Sequence, residues 1–414
     1  MLQAIRGTKD ILPDEMATHR YIVQKALEVA ALYNFREVQT PIFESTDVFK
    51  RTLGDESDVV SKEMYTFEDR GGDSITLRPE GTAPIIRAVI SNGLTQSLPL
   101  KYIYAGPMFR YERPQKGRLR QFHQVGCELI GPATPIADVE TIALGQAVLD
   151  SLGLNQNVKL QLNSLGDKES RDNYRIALVN YLSNFKDSLS EDSKRRLEKN
   201  PLRILDSKDE KDKEIVENAP ALQDYYTDNS KQHFEAVQQN LKALDIAFEV
   251  NSKIVRGLDY YSHTVFEFVT TDLGAQGTVL AGGRYNDLVQ QLGGPQISCV
   301  GWAAGIERLA LLLGEKMYIA PSTPTCAVIP ADAESEDACF ALLQNLRKNN
   351  ISADMSYSGN MSKRLKKADQ TGTLYALILG SEELSKNSAL LKNLESGDSK
   401  LVPINSVIKH LQSI

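Results

Sequence analysis

The stretch FRYERPQKGRLRQFHQVGCELIG, Phe109 to Gly131, reads as two strands joined by a charged loop. Successive strand residues point to opposite sides. Phe122, Gln124, Gly126 and Glu128 therefore share one face, and Val125, Cys127 and Leu129 share the other. The second set is apolar and belongs against a core. The first offers an aromatic plane, an amide, a gap with no side chain and a carboxylate, none of which a core strand needs. Arg110 and Glu112 share a face on the preceding strand, and the 114–120 loop holds Lys116, Arg118 and Arg120 around Gly117. That is the composition of a mobile loop that grips phosphate, because guanidinium groups fork onto its oxygens. Taken alone, the same composition also suits a solvated charged hairpin.

Outside this stretch, composition sets bounds. With 42% hydrophobic and 24% charged residues over 414 positions, the chain can fill two or three cores. No apolar run approaches the roughly 20 residues a membrane helix needs, and the opening MLQAIRGTKDILP lacks the basic-then-apolar layout of a signal peptide. A cytoplasmic protein with no membrane partner is expected. Cys127, Cys299, Cys326 and Cys339 lack paired metal spacing and are expected as buried thiols, with no disulfide, no zinc and no structural metal; the five histidines do not group along the chain either. A net charge of −7 argues against nucleic acid held over the whole surface. Basic groups concentrate locally instead, in the 114–120 loop and at Lys363, Arg364, Lys366 and Lys367, the latter set being equally readable as a solvated helix face.

Residues 17–33 have the pattern of a helix, followed by the extended piece Thr40-Pro41-Ile42-Phe43-Glu44. Residues 64–67 and 74–78 form a hairpin across Gly71-Gly72, which ends in Arg78-Pro79-Glu80-Gly81-Thr82, a rigid exposed turn. From 167, Tyr174, Ala177, Leu178, Tyr181, Leu182 and Phe185 form one helical stripe, and charged helical sequence runs to about 246. Strand patterns return at 247–250, 265–269 and 299–302, closing on a helix with Ile306, Leu309, Ala310 and Leu313 on one side and Arg308 in its first turn. Antiparallel strands interrupted by helices imply an α+β unit. After Pro321-Ser322-Thr323-Pro324, strand 326–330, helix 335–349, strand 353–355, helix 361–371 and strand 374–379 imply a small doubly wound α/β unit with a largely parallel sheet.

The Phe109–Gly131 stretch resembles motif 2 of class II aminoacyl-tRNA synthetases, in the form found in histidyl-tRNA synthetases. Leu77-Arg78-Pro79-Glu80-Gly81-Thr82, Arg256-Gly257-Leu258-Asp259-Tyr260-Tyr261, Gly282-Gly283-Arg284-Tyr285 and Gly305-Ile306-Glu307-Arg308-Leu309 follow the order of that family. Each string alone is weak, since glycine- and arginine-bearing strings usually mark turns. Four in order are specific. The resemblance implies an antiparallel-sheet catalytic domain over 1–321 with a helical insertion at about 167–246, then an anticodon-binding domain over 322–414. It implies activation of L-histidine by ATP, with Mg2+, and transfer to tRNA(His) by a homodimer whose first helix and Thr40–Glu44 piece resemble the dimer-forming motif 1.

In that resemblance Arg110 and Arg256 are catalytic and meet the α-phosphate, Arg256 in a place that a metal ion fills in many class II relatives. Arg118 and Arg308 hold the β- and γ-phosphates, Phe122 stacks on adenine, and Glu112 contacts its amino group. Glu80, Thr82 and Gln124 take the α-amino group of histidine. Glu128 and Tyr261 take the imidazole, with Tyr260 beside them. Arg113 and Gln115 face the extra 5′ guanosine and the discriminator base of histidine tRNA. By spacing alone, Tyr260-Tyr261 is also an aromatic core pair. Tyr111, Ser262-His263 and Asn286-Asp287 depart from the family pattern and bear on the pocket wall. A rival is the synthetase-like regulatory subunit of ATP phosphoribosyltransferase, which lacks the C-terminal domain and loses catalytic arginines; this chain keeps Arg110, Arg256 and Arg308. Threonine and proline enzymes would not need the Arg256 to Tyr261 string.

Overall fold

The computed structural model describes residues 2–54, 57, 59–205, 207, 209–254, 260–274, 277–314 and 325–413. The chain divides into two compact units, Met1–Ile319 and Ala320–Ile414. In the first, an eight-stranded sheet runs in the order Arg36–Glu37, Leu100–Phe109, Gln121–Gly131, Ser298–Gly305, Thr278–Tyr285, Ser262–Val269, Lys159–Ser164, Glu249–Val250. The six long strands are antiparallel, and the two short outer ones pair parallel. The α+β reading therefore holds.

Alternation places the core. Val125, Cys127 and Leu129 of the Gln121–Gly131 strand pack with Ile103 against Ile22, Ala26 and Ala30 of the Pro13–Leu32 helix and against the Pro135–Ser151 helix. Each large aliphatic side chain buried this way contributes roughly 1.5–3 kcal/mol relative to exposure. Both helices begin with proline, whose missing N–H costs nothing in the first turn. The second is also pinned: Arg284 lies fully buried, its Nε 3.1 Å from both oxygens of Asp138, and its Nη1 and Nη2 donate to the carbonyls of Pro132 and Thr134. Arg284 of the Gly282–Tyr285 string is thus a brace between sheet and helix.

Helices Lys168–Ser183, Glu191–Lys199 and Glu210–Glu217 enclose a small core of Tyr174, Leu178, Leu182, Leu189, Leu197 and Ile204. Asp167, Ser190 and Asp209 cap them through side-chain oxygens, as cap residues do when first-turn N–H groups lack partners. Phe185 falls off the expected stripe, because the helix ends at Ser183. Asp228–Ala243 is helical too, but it sends Phe234, Val237 and Leu241 into the main core.

The second unit has a five-stranded sheet ordered Ala353–Asp354, Cys326–Pro330, Tyr375–Leu379, Ser388–Asn393, Ser399–Pro403. Cys326 and Val328 face Leu342, Leu343 and Leu346 of the Glu336–Lys348 helix, while Ala327 and Ile329 face Ala368 of the Met361–Gln370 helix. Helices thus cover both faces of a parallel three-strand core. The last two strands are antiparallel, joined through Gly397 at φ +80° with no crossover helix. Arg364 turns inward onto Glu336 at 2.7 Å, so the basic cluster presents Lys363, Lys366 and Lys367 on an exposed face.

Candidate active site

The antiparallel pair Leu100–Phe109 and Gln121–Gly131 forms one wall of a cavity of about 360 Å³. Beyond these strands Gln115 and Arg118 exchange backbone hydrogen bonds of 3.1 and 2.9 Å, closing the loop over Lys116 and Gly117, whose φ is +73°. A left-handed residue there favours glycine. Arg120 differs from the expectation that it grips ligand. Its backbone N–H donates to Gly7, its guanidinium to Glu112 and Arg6 carbonyls, and it lies 3.8 Å over the Tyr111 ring. Arg120 anchors the loop to the chain's N-terminal segment.

Arg110, Arg118 and Arg308 line the cavity together with Glu112 and Phe122. Arg118 Nε is 2.7 Å from Glu112, Arg110 lies 5.4 Å over Phe122, and Arg308 donates to the carbonyls of Gly117 and Thr278. Burial first, then the Arg118 cation, pushes the Arg308 guanidinium below its ordinary value. Three guanidinium groups thus converge on one part of the cavity, which Glu112 and Glu267 also line, and they can fork onto phosphate oxygens.

Further in, Glu80 accepts from the N–H groups of Thr82 and Ala83 at 2.7 and 2.8 Å, at the start of the Thr82–Ser91 helix. Burial raises its pKa, against those hydrogen bonds. Glu128 does not itself line the cavity. Its oxygens are held by Thr82 Oγ1, donating at 2.7 Å, and by the Tyr285 hydroxyl, and both of those residues do line it. Burial pushes Glu128 up to about 8 despite these donors. Tyr260 and Tyr261 are buried on the cavity wall with rings 4.6 Å apart. Gln124 and Tyr104 line the same space, and Gln124 Oε1 and the Tyr104 hydroxyl are buried without hydrogen-bond partners among the described residues, which leaves two polar groups for a ligand to satisfy. Glycines make the room. A Cβ on Gly126 would stand 2.5 Å from the Tyr104 hydroxyl, and one on Gly301 would strike Glu128.

The fold thus brings Glu80, Thr82, Arg110, Glu112, Arg118, Phe122, Gln124, Tyr260, Tyr261 and Arg308 to one cavity. Arg256 lies outside the described residues. Arg113 and Gln115 sit exposed on the loop, outside the cavity lining. Sequence reasoning missed Tyr104 and Gly301 and gave Tyr285 no role in the site: only the pairing register sets Tyr104 opposite Gly126 and Gly301 opposite Glu128. His263 is buried at φ +48° with its ring 4.9 Å from His233, away from the cavity lining, and burial lowers its pKa to about 4. The histidines do group, contrary to the sequence expectation. His233 meets His263, and His19 meets His123 and Glu307, because ligating atoms far apart in sequence converge across helices and sheet. All four cysteines are buried free thiols.

Comparison with known proteins places these features in context. A family model described as histidyl-tRNA synthetase matches residues 7–309, and one described as anticodon binding domain matches 325–414. A Rhodospirillum rubrum protein named histidine–tRNA ligase is 55% identical over 401 residues, 97% of this chain and 96% of that protein. A Gluconobacter oxydans protein of the same name is 52% identical over 413 residues, covering 100% of this chain and 99% of the other. The crystal structure of apo S. aureus histidyl-tRNA synthetase superposes with a TM-score of 0.85 at 35% identity, covering all of both chains.

Proposed function

Since the chain belongs to the histidyl-tRNA synthetase family, we propose that this cavity activates L-histidine with ATP, releasing pyrophosphate, and passes the histidyl group to the 3′ end of tRNA(His), releasing AMP. The observation that carries the assignment of this cavity is the convergence of Arg110, Arg118 and Arg308 beside Phe122, next to Gln124, whose Oε1 has no partner among the described residues, and the buried Glu80 and Glu128. In-line attack by the histidine carboxylate on the α-phosphorus spreads negative charge over phosphoryl oxygens. Fixed guanidinium groups stabilise that charge without reorganising, which is the larger part of such catalysis.

Arg110 and Arg256 serve the α-phosphate, Arg118 and Arg308 the β- and γ-phosphates. Phe122 stacks on adenine and Glu112 receives its amino group. Magnesium enters with ATP, as part of the substrate. Glu80, Thr82 and Gln124 orient the α-amino group, so the attacking carboxylate is held in line. Glu128 and Tyr261, with Tyr260 beside them, read the two ring nitrogens. An apolar competitor would leave those groups unpaired, a penalty able to discriminate by about 10⁴. In the second step the terminal ribose hydroxyl of the tRNA attacks the adenylate carbonyl and AMP leaves. Arg113 and Gln115 read the acceptor end, and the 322–414 domain meets the anticodon. Exposed Ile42, Phe43 and Phe67, on or beside the small sheet of Phe43–Ser45, Ser74–Leu77 and Tyr65–Glu68, support a homodimer formed over this element. No described helix is long and apolar enough to cross a membrane, and the proposed setting is the cytoplasm.

ATP–pyrophosphate exchange tested across the amino acids decides the substrate. Histidine alone should support it, and exchange driven by another amino acid would overturn the reading.

A further inference from the structure

His19, His123 and Glu307 come from three segments remote in sequence, the Pro13–Leu32 helix, the Gln121–Gly131 strand and the Ile306–Leu313 helix. One ligating atom from each lies within 4.8 Å of the other two. Glu307 is already oriented: both its oxygens accept from the His123 backbone N–H, at 2.9 and 3.0 Å, and Oε1 lies 2.8 Å from His123 Nδ1. His19 is 3% exposed, and its Nε2 has no hydrogen-bond partner among the described residues. The nearest carboxylate, Glu15, is 3.8 Å away, beyond hydrogen-bond reach.

Leaving an imidazole nitrogen buried and unpaired is unfavourable, and buried polar atoms almost always find a partner. The geometry points to a divalent-metal site that supplies it. Two imidazole nitrogens and one carboxylate oxygen form the borderline N2O donor set of zinc, with a fourth position left for water. Bonds of about 2.0–2.1 Å at tetrahedral angles place ligand atoms about 3.4 Å apart. The His123–Glu307 pair at 2.8 Å opens slightly, and the wider span contracts through side-chain rotation of His19. On metal binding, His123 takes the tautomer with its proton on Nε2, which frees the Nδ1 lone pair, so that neutral imidazole nitrogens ligate. Glu307 keeps its backbone hydrogen bond through the second oxygen.

The position gives such an ion a role. His123 lies between Phe122 and Gln124, and Glu307 precedes Arg308; those three neighbours and Glu307 itself line the ATP-side cavity. A metal here would tie the first helix to the adenine-stacking strand and to the helix that carries Arg308. His19, His123 and Glu307 are therefore proposed as structural ligands.

The test strips the full-length protein with EDTA, dialyses it against Zn2+, and counts zinc per chain by mass spectrometry, for wild type and His19→Phe. Phenylalanine keeps an aromatic ring and removes the ligand. Wild type should hold one more equivalent than the variant, and Co2+ should give the visible bands of a tetrahedral site only in wild type. Equal zinc content in the two proteins would overturn the site. Should His19→Phe fail to fold by circular dichroism, the wild type alone still decides. Its melting temperature must rise by several degrees on adding stoichiometric Zn2+, and no rise would overturn the proposal.

Discussion

Glu128 combines two hydroxyl donors with burial that lifts its carboxyl to about 8, from an ordinary 4.5. A raised carboxyl pKa means that the folded state holds a proton which the unfolded chain releases. The associated stability is complete below about pH 4.5 and is lost as pH rises toward 8. Ligand-free wild type should therefore lose stability relative to Glu128→Gln across that window, by up to about 1.4 kcal/mol per pH unit, the limit for one proton. Denaturant unfolding at pH 5, 6.5 and 8 reads this directly, and parallel curves would mean that Glu128 is already ionised in the fold. Arg256 tests the chemistry itself. Arg256→Ala should leave folding intact and slow histidyl-adenylate formation by roughly 10² to 10³, the effect of removing one fixed charge at the developing phosphoryl anion. A near wild-type rate in a single-turnover assay would remove it from the mechanism.

At the scale of elements, the 109–131 hairpin divides its cations by task. Arg110 and Arg118 face the cavity, Arg120 is tied to the N-terminal segment, and Arg113 and Lys116 are left exposed. The exposed pair separates base reading from charge. Arginine offers a fork suited to base edges, and lysine a point charge suited to phosphate. Arg113→Ala should cost about 1 to 3 kcal/mol in charging native tRNA(His), and much less with a tRNA lacking the extra 5′ guanosine. Lys116→Ala should weaken both tRNAs alike and reduce the salt dependence. Matched kcat/KM values for the two tRNAs settle it, and an equal Arg113→Ala penalty for both would leave that residue a positional role only.

For the whole molecule, the division at Ile319 and Ala320 falls next to the proline-bearing stretch that the sequence marks as a boundary at 321–322. Each unit has its own core, as a unit able to fold alone requires. A protein ending at Pro321 should still form histidyl-adenylate while its tRNA charging falls far more, through loss of the proposed anticodon contact. Light scattering would establish its dimer first. Equal loss of both activities in a folded dimer would make the C-terminal unit part of the catalytic site.

Sequence alone determined the α+β class, the alternating faces of the 121–131 strand and the alternating strands and helices after 325, because period-two and helical patterns are local consequences of backbone geometry. It also singled out ten residues that share one cavity, through motif strings that keep their order along the chain. Pairing register was beyond its reach. Whether Tyr104 faces Gly126, Gly301 faces Glu128 or Arg284 meets Asp138 depends on which strands become neighbours, and residues 146 apart carry no local sign of contact. The same reason hid the Thr278–Tyr285 strand, whose central glycines look like a turn until partners on both sides supply its hydrogen bonds. It hid the meeting of His19, His123 and Glu307 as well, since only tertiary packing brings a helix, a strand and a second helix to one point.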